Sequence, residues 1–157
     1  MALLNILTEG EEALRKHCRP VDKVTDRIRR LLDDMYETML HAEGVGLAGP
    51  QVGVLRRLVV IEIPESGRID LVNPEILHTE GSQVGREGCL SIPDQCGIVE
   101  RPMTVTVRAL DRNGEPFELT GNELLARALC HEIDHLDGIL YTDKAQRMIT
   151  DEDEEEE

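Results

Sequence analysis

The sequence predicts an α+β fold: antiparallel β-sheets packed around a C-terminal helix, with a second long helix near the N-terminus. Three observations carry this expectation. Apolar residues recur at helical spacing in two places, the stretch between them is β-branched or alternating, and Gly and Pro mark the boundaries. A short helix is expected over 11–16, before Pro20. Thr25 has the character of an N-cap, and Ile28, Leu31, Leu32, Met35 and Met39 follow on one stripe. This places a helix over 25–43, with Gly44 as its stop and the two Met side chains filling core. Leu58-Val59-Val60-Ile61-Glu62-Ile63 reads as a strand ending at Pro64. Residues 69–72 read as another, leading into Asn73-Pro74. Val105 and Val107 alternate with polar neighbours, and Asn113-Gly114 is a tight turn that returns Phe117 and its neighbours as a partner strand. The last helix is expected to start at Thr120, because Thr120 and Glu123 have capping-box spacing. It buries Leu124, Leu125, Ala128 and Leu129 and is capped by Gly138.

Composition narrows the functional classes. The 157 residues fit one domain, expected over 1–148, with an acidic tail over 149–157. The core must be aliphatic, since the chain has one Phe, two Tyr and no Trp. No apolar run approaches the ~20 residues that span a bilayer, and the start lacks a basic leader, so a cytoplasmic protein without a membrane partner is expected. Four cysteines, Cys18, Cys89, Cys96 and Cys130, are then thiols or ligands rather than disulfides. A net charge of −15 argues against wrapping bare nucleic acid and against direct DNA binding. Seven of those charges lie in 151–157, a self-repelling block; without them about −8 remains.

His131-Glu132-Ile133-Asp134-His135 carries the chemistry. On a helix, residues four apart share a face, so His131 and His135 can hold one metal ion while Glu132 handles protons for a water. The capping and periodicity signals place this motif on a helix independently of the motif itself. A catalytic site usually has three protein ligands and an open position. Only 22 residues follow His135, the last seven acidic, so Glu152 or Glu154 reach the site only from an ordered tail and an upstream ligand is favoured. Cys89, between Gly88 and Leu90, is the best upstream candidate; Cys96 and Cys130 are weaker. His17, His41 and His78 read as ordinary surface or capping residues.

Three segments then line up: Gly44-Val45-Gly46-Leu47-Ala48-Gly49-Pro50-Gln51, Glu87-Gly88-Cys89-Leu90-Ser91 and His131-Glu132-Ile133-Asp134-His135. In that order and spacing they resemble the three signature motifs of peptide deformylase, and the likeness runs from about Ile6 to Asp143. The resemblance implies a metal-dependent hydrolase that removes the formyl group from the N-terminal formylmethionine of nascent polypeptides, giving formate and a free N-terminal methionine. It implies Cys89, His131 and His135 as metal ligands and Glu132 as general base and acid. The Gln51 side-chain amide and the Leu90 N–H become the oxyanion donors. It further implies one divalent ion per chain, Fe²⁺ in the cell, with Zn²⁺, Ni²⁺ or Co²⁺ as substitutes. Two departures stand out: Gly10-Glu11-Glu12 replaces the usual Pro-Asp-Pro, and acids replace the basic C-terminal helix with which some relatives dock on the ribosome. Any transient ribosome association is therefore expected through another surface than this tail.

Around these groups, Val45, Leu124 and Ala128 are expected to line an apolar slot for the methionine side chain, and the peptide backbone to pair near Gly46. Glu87 and Asp134 are candidates to orient imidazoles, with Arg101 as a partner for one of them. Two other readings compete: a small HExxH peptidase, and a closed structural metal site with Cys96 as fourth ligand.

Overall fold

A computed structural model describes residues 2–149. The tail expected over 149–157 lies, apart from Ile149, outside the described residues, as do Glu152 and Glu154. The chain begins with a 3-10 turn, Glu12–Arg15, and then helix α1, Asp26–His41. Thr25 caps α1 by accepting from the Ile28 N–H, and Leu32, Met35 and Met39 are fully buried. The left-handed residue that ends α1 is Glu43, with φ 61°, rather than Gly44. Gly44 is small for another reason: a Cβ there would stand 2.7 Å from Leu90 Cδ1.

Five strands form the first sheet, in the order β1-β2-β3-β6-β7. They are β1 (Gly46–Ala48), β2 (Leu58–Ile63), β3 (Gly67–Glu80), β6 (Thr104–Leu110) and β7 (Pro116–Asn122), all antiparallel. β3 does not end at Asn73-Pro74; it passes through a register shift there, with Asn73 at φ 53°, and continues to Glu80. The hairpin at Asn113-Gly114 is present: Gly114 takes φ 82° and its N–H bonds Asp111 O. A second sheet, in the order β4-β5-β8, joins β4 (Gln83–Cys89), β5 (Ile92–Arg101) and β8 (Ala145–Met148).

Helix α2, Leu124–Leu136, packs against the first sheet. It starts four residues later than its capping-box signal at Thr120. Thr104 to Thr106 of β6 pair onward with Thr120 to Asn122 of β7, and the two threonine hydroxyls, Thr106 and Thr120, meet at 2.9 Å. Sheet pairing thus overrides the local helix signal, and Glu123, at φ 54°, turns the chain into the helix without a side-chain cap. Between α2 and the sheet lies a core including Val59, Ile61, Leu71, Val105, Val107 and Leu129. α1 covers a second cluster built on Leu47, Leu58 and Val60. A buried aliphatic side chain of this kind contributes about 1.5–3 kcal/mol. This packing fixes α2 on the sheet and so sets the histidines it carries. No helix among the described residues is long and apolar enough to cross a membrane.

Candidate metal centre and active site

His131 and His135 lie one turn apart on α2 and are both buried. Cys89 reaches them from the end of β4, where it pairs with Ile92 while Leu90 and Ser91 make the turn into β5. One nitrogen from each ring and the Cys89 sulfur lie within 4.8 Å of one another, with Cys89 Sγ 3.3 Å from His135 Nε2. Cys96 is not among the converging donors, so the fourth ligand needed for a closed structural site is lacking among the described residues. Cys18 and Cys130 are buried in the core between α2 and the sheet. His17 and His78 pair with Asp137 and Glu80 at the surface.

A buried ionic network holds the rear of this site. Glu87 accepts from His131 Nδ1 at 2.8 Å, which leaves Nε2 of that ring for the donor cluster. Arg101 forks onto both Glu87 oxygens at 2.8 Å each and reaches Asp134 at 2.7 Å. It therefore serves both acidic candidates, but Asp134 orients no imidazole; it pairs with Arg101 and Lys144. Arg127, which sequence reasoning missed, donates to Glu87 at 2.7 Å and to Val99 O at 3.2 Å. Arg127 precedes His131 by four residues, as His131 precedes His135, so its position on the buried stripe was the available signal. Burial works against the Glu87 carboxylate, but the hydrogen bonds from Arg101 and His131 outweigh it and hold its pKa at about 2.

Removing Glu87 takes from Arg127 its only carboxylate among the described residues and leaves Arg101 with Asp134 alone, and losing one partner of a buried ion pair costs about 3–5 kcal/mol. Glu87→Gln should lose stability of that order in urea denaturation at pH 7. Because the folded pKa lies below the ordinary 4.5, this stabilisation is present above pH 4.5 and drains away as pH falls toward about 2. The variant should lack that acid-dependent loss. An unchanged urea midpoint would remove Glu87 from this structural role.

The donor chemistry fits a cation. Burial opposes charge on His131, yet Glu132, Cys89 and Glu87 around it lift its pKa to about 10. Burial and its charged neighbours push His135 down to about 3. The site thus draws one positive charge into the space between soft and borderline ligands, which suits a divalent transition ion. Glu132, buried beside the cluster, is pushed up to about 7 by that burial, and its Oε1 has no hydrogen-bond partner among the described residues.

Gln51 lies in a 3-10 turn, Gly49–Val52, that follows β1. Its Oε1 accepts from the Ala48 N–H at 2.9 Å. That fixes the amide so that Nε2 donates to Ser91 Oγ at 3.1 Å and lies 3.4 Å from Cys89 Sγ. Leu90 follows Cys89 in the hairpin turn, on the rim of the same cleft. That cleft, of about 510 Å³, is lined by Val45, Gly46, Leu124 and Ala128, together with Gln51, Cys89, Leu90, His131 and Glu132. His135 lies deeper, fully buried behind the cleft. Val45 and Leu124 stand exposed at the mouth, while Ala128 is buried. Glu43, Arg86 and Asp94 add charges to the lining that sequence reasoning did not single out.

β1 is the edge of its sheet. Val45 O accepts from the Glu62 N–H, so by antiparallel alternation the Gly46 N–H and C=O point away from β2 toward the open edge. Gly46 also fits its partner: a Cβ there would stand 2.5 Å from Glu132 Oε2. Gly46→Ala should therefore displace Glu132, and a displacement of about 1 Å at a catalytic group lowers rate about 10²-fold. Turnover by variant and parent at equal metal content checks this; equal rates would show that Glu132 tolerates the added methyl.

The family model described as polypeptide deformylase matches residues 3–150. Peptide deformylase of Acetivibrio thermocellus is 58% identical over 156 residues, covering 99% of this chain and 91% of its own length. Among solved structures, a peptide deformylase from Legionella pneumophila is 44% identical with a TM-score of 0.88, covering 99% of this chain and 90% of that one. One from Ehrlichia chaffeensis in complex with actinonin is 37% identical with a TM-score of 0.91, covering 93% and 90%.

Proposed function

Since the chain belongs to the polypeptide deformylase family, a metal-dependent hydrolase that removes the formyl group from N-formylmethionyl peptides, we propose a role in that reaction for each residue of its cleft. Cys89, His131 and His135 hold the ion; the convergence of their three donor atoms is the observation that carries the reading. A divalent ion there supplies a Lewis acid that brings the pKa of a water toward neutrality. Fe²⁺ is its identity in the cell, with Zn²⁺, Ni²⁺ or Co²⁺ as substitutes, since thiolate and imidazole accept all four.

Glu132 takes the proton of the attacking water and returns it to the methionine nitrogen as the C–N bond breaks. Its burial suits a group that must exchange a proton near neutral pH, and the unpartnered Oε1 is free to receive one. Gln51 Nε2 and the Leu90 N–H stabilise the developing oxyanion, each worth on the order of 3 kcal/mol when aimed at the transition state. The carbonyl-to-Ala48 bond supports this role, because it fixes the amide before substrate arrives. The peptide adds to the β1 edge through Gly46, which gives affinity with little sequence preference. Its methionine side chain enters between Val45, Leu124 and Ala128. Residues 1–148 act as one catalytic unit, in the cytoplasm where nascent chains are made.

An anaerobic assay of formate release from a formyl-Met tripeptide, with Fe²⁺ and Zn²⁺ forms in parallel, tests the reading. Release is expected with at least the Fe²⁺ form, and none with any metal would end it.

A further inference from the structure

The slot proposed for the methionine side chain has a polar end. Leu124, Arg127, Ala128 and His131 follow one another at steps of three, one and three, so they share one face of α2, and all four line the cleft. Leu124 stands exposed at the mouth, Ala128 is buried further in, and Arg127 keeps only 7% of its surface exposed. Nη1 of Arg127 makes both bonds that hold the group, to Glu87 and to Val99 O. Its Nη2 and Nε make no hydrogen bond among the described residues. Gly85 leaves room for Nη2: a Cβ there would stand 3.0 Å from it. Buried polar groups are normally paired, and a guanidinium carries five N–H donors. Donors left over beside a substrate cleft suit an acceptor on the substrate. The charge of the group, in contrast, is already answered. Glu87 accepts from Arg127, Arg101 and His131, and Asp134 gives Arg101 a second carboxylate. An anionic side chain entering the slot would lose its water without finding an unanswered cation. A neutral acceptor loses less and gains N–H bonds from a charged donor.

We infer that Arg127 reads the sulfur end of the N-terminal side chain, and that the slot therefore also accepts formylmethionine whose thioether has been oxidised to the sulfoxide. The inference rests on the deformylase reading and adds a second substrate class to the same site. A thioether sulfur is a weak acceptor, whereas a sulfoxide places a strongly polar oxygen at the same point of the chain. In a slot with apolar walls alone, that oxygen would be buried without a partner, which would slow turnover about 10–100-fold. The Arg127 donors remove that penalty. The bond chemistry is the same for both substrates. Water adds to the formyl carbon, the C–N bond breaks, formate leaves and the amine takes the proton, with the sulfoxide unchanged.

The test is formate release by the metal-loaded, full-length protein from four tripeptides that differ only in their first residue: formyl-Met, formyl-Met sulfoxide, formyl-norleucine and formyl-Glu. Norleucine has the length of methionine and no acceptor, so the sulfoxide-to-norleucine ratio of kcat/KM is the readout. A ratio of about one or more is expected in the parent, falling about 10–100-fold in R127M. Taking the ratio within each protein cancels any general loss of rate from weakening the Glu87 network. Should R127M not fold, R127K decides: it keeps a cation for Glu87 but lacks the fork that reaches past it, so its ratio should fall as well. Formyl-Glu should be the poorest substrate of the four. An equal ratio in parent and variant overturns the inference, as does a parent ratio below about one-tenth or a preference for formyl-Glu. Absence of release from every peptide, formyl-Met included, would strike the deformylase reading itself, whereas failure on the sulfoxide alone would leave that reading standing.

Discussion

Glu132→Gln should leave a folded, metal-loaded protein whose kcat on a formyl-Met peptide falls about 10²–10⁴-fold. Gln has the shape of Glu but cannot accept the water proton. The side chain is buried, with burial pushing its carboxyl up to about 7, so a neutral amide imposes no new desolvation cost on the fold. Metal content should not change, because the Glu132 oxygens are not in the converging donor set. KM should shift little if the group acts on the transition state rather than on binding. Steady-state kinetics together with metal analysis of the same sample separate the roles. Full turnover would assign the proton to another group, and loss of the ion would make Glu132 a ligand.

Cys89→Ala should have an equally large effect by a different route. It removes the one sulfur from the proposed ligand set and leaves two imidazoles on one helix face. Metal content after dialysis is expected to fall from about one per chain to near zero. The metal-free fold should survive, since Cys89 is only partly buried and contributes a small side chain at the edge of its cluster. The thermal stabilisation that added Zn²⁺ gives the parent, which grows with ligand concentration over Kd, should vanish in the variant. Retention of one tightly held ion per chain would show that another residue completes the site.

What the sequence revealed and what it hid have physical causes. α1 was legible because Thr25, the apolar stripe and the buried methionines agree at every level. The histidine pair was legible because a helix makes four-residue spacing a geometric fact. β4 and β5 were not, because their inward side chains include Glu87 and Arg101, whose burial is compensated by ions rather than by apolar contact. Alternation of polarity is silent where the core is ionic. The start of α2 was misplaced because pairing of β7 with β6 outcompetes the Thr120 capping pattern. Cys89 was favoured upstream by elimination, but its distance to His135 depends on how β4 sits against α2, which no local pattern encodes. Arg127 was missed because a lone Arg reads as surface unless its place on the stripe of His131 and His135 is considered.

X-ray absorption on the Zn²⁺-loaded protein reads the ligand set itself. One sulfur at about 2.3 Å and two imidazole nitrogens at about 2.0–2.1 Å are expected around the ion, with one further light atom from solvent. A shell without sulfur, or one with two sulfurs, would contradict the assignment of Cys89, His131 and His135 as the three protein ligands.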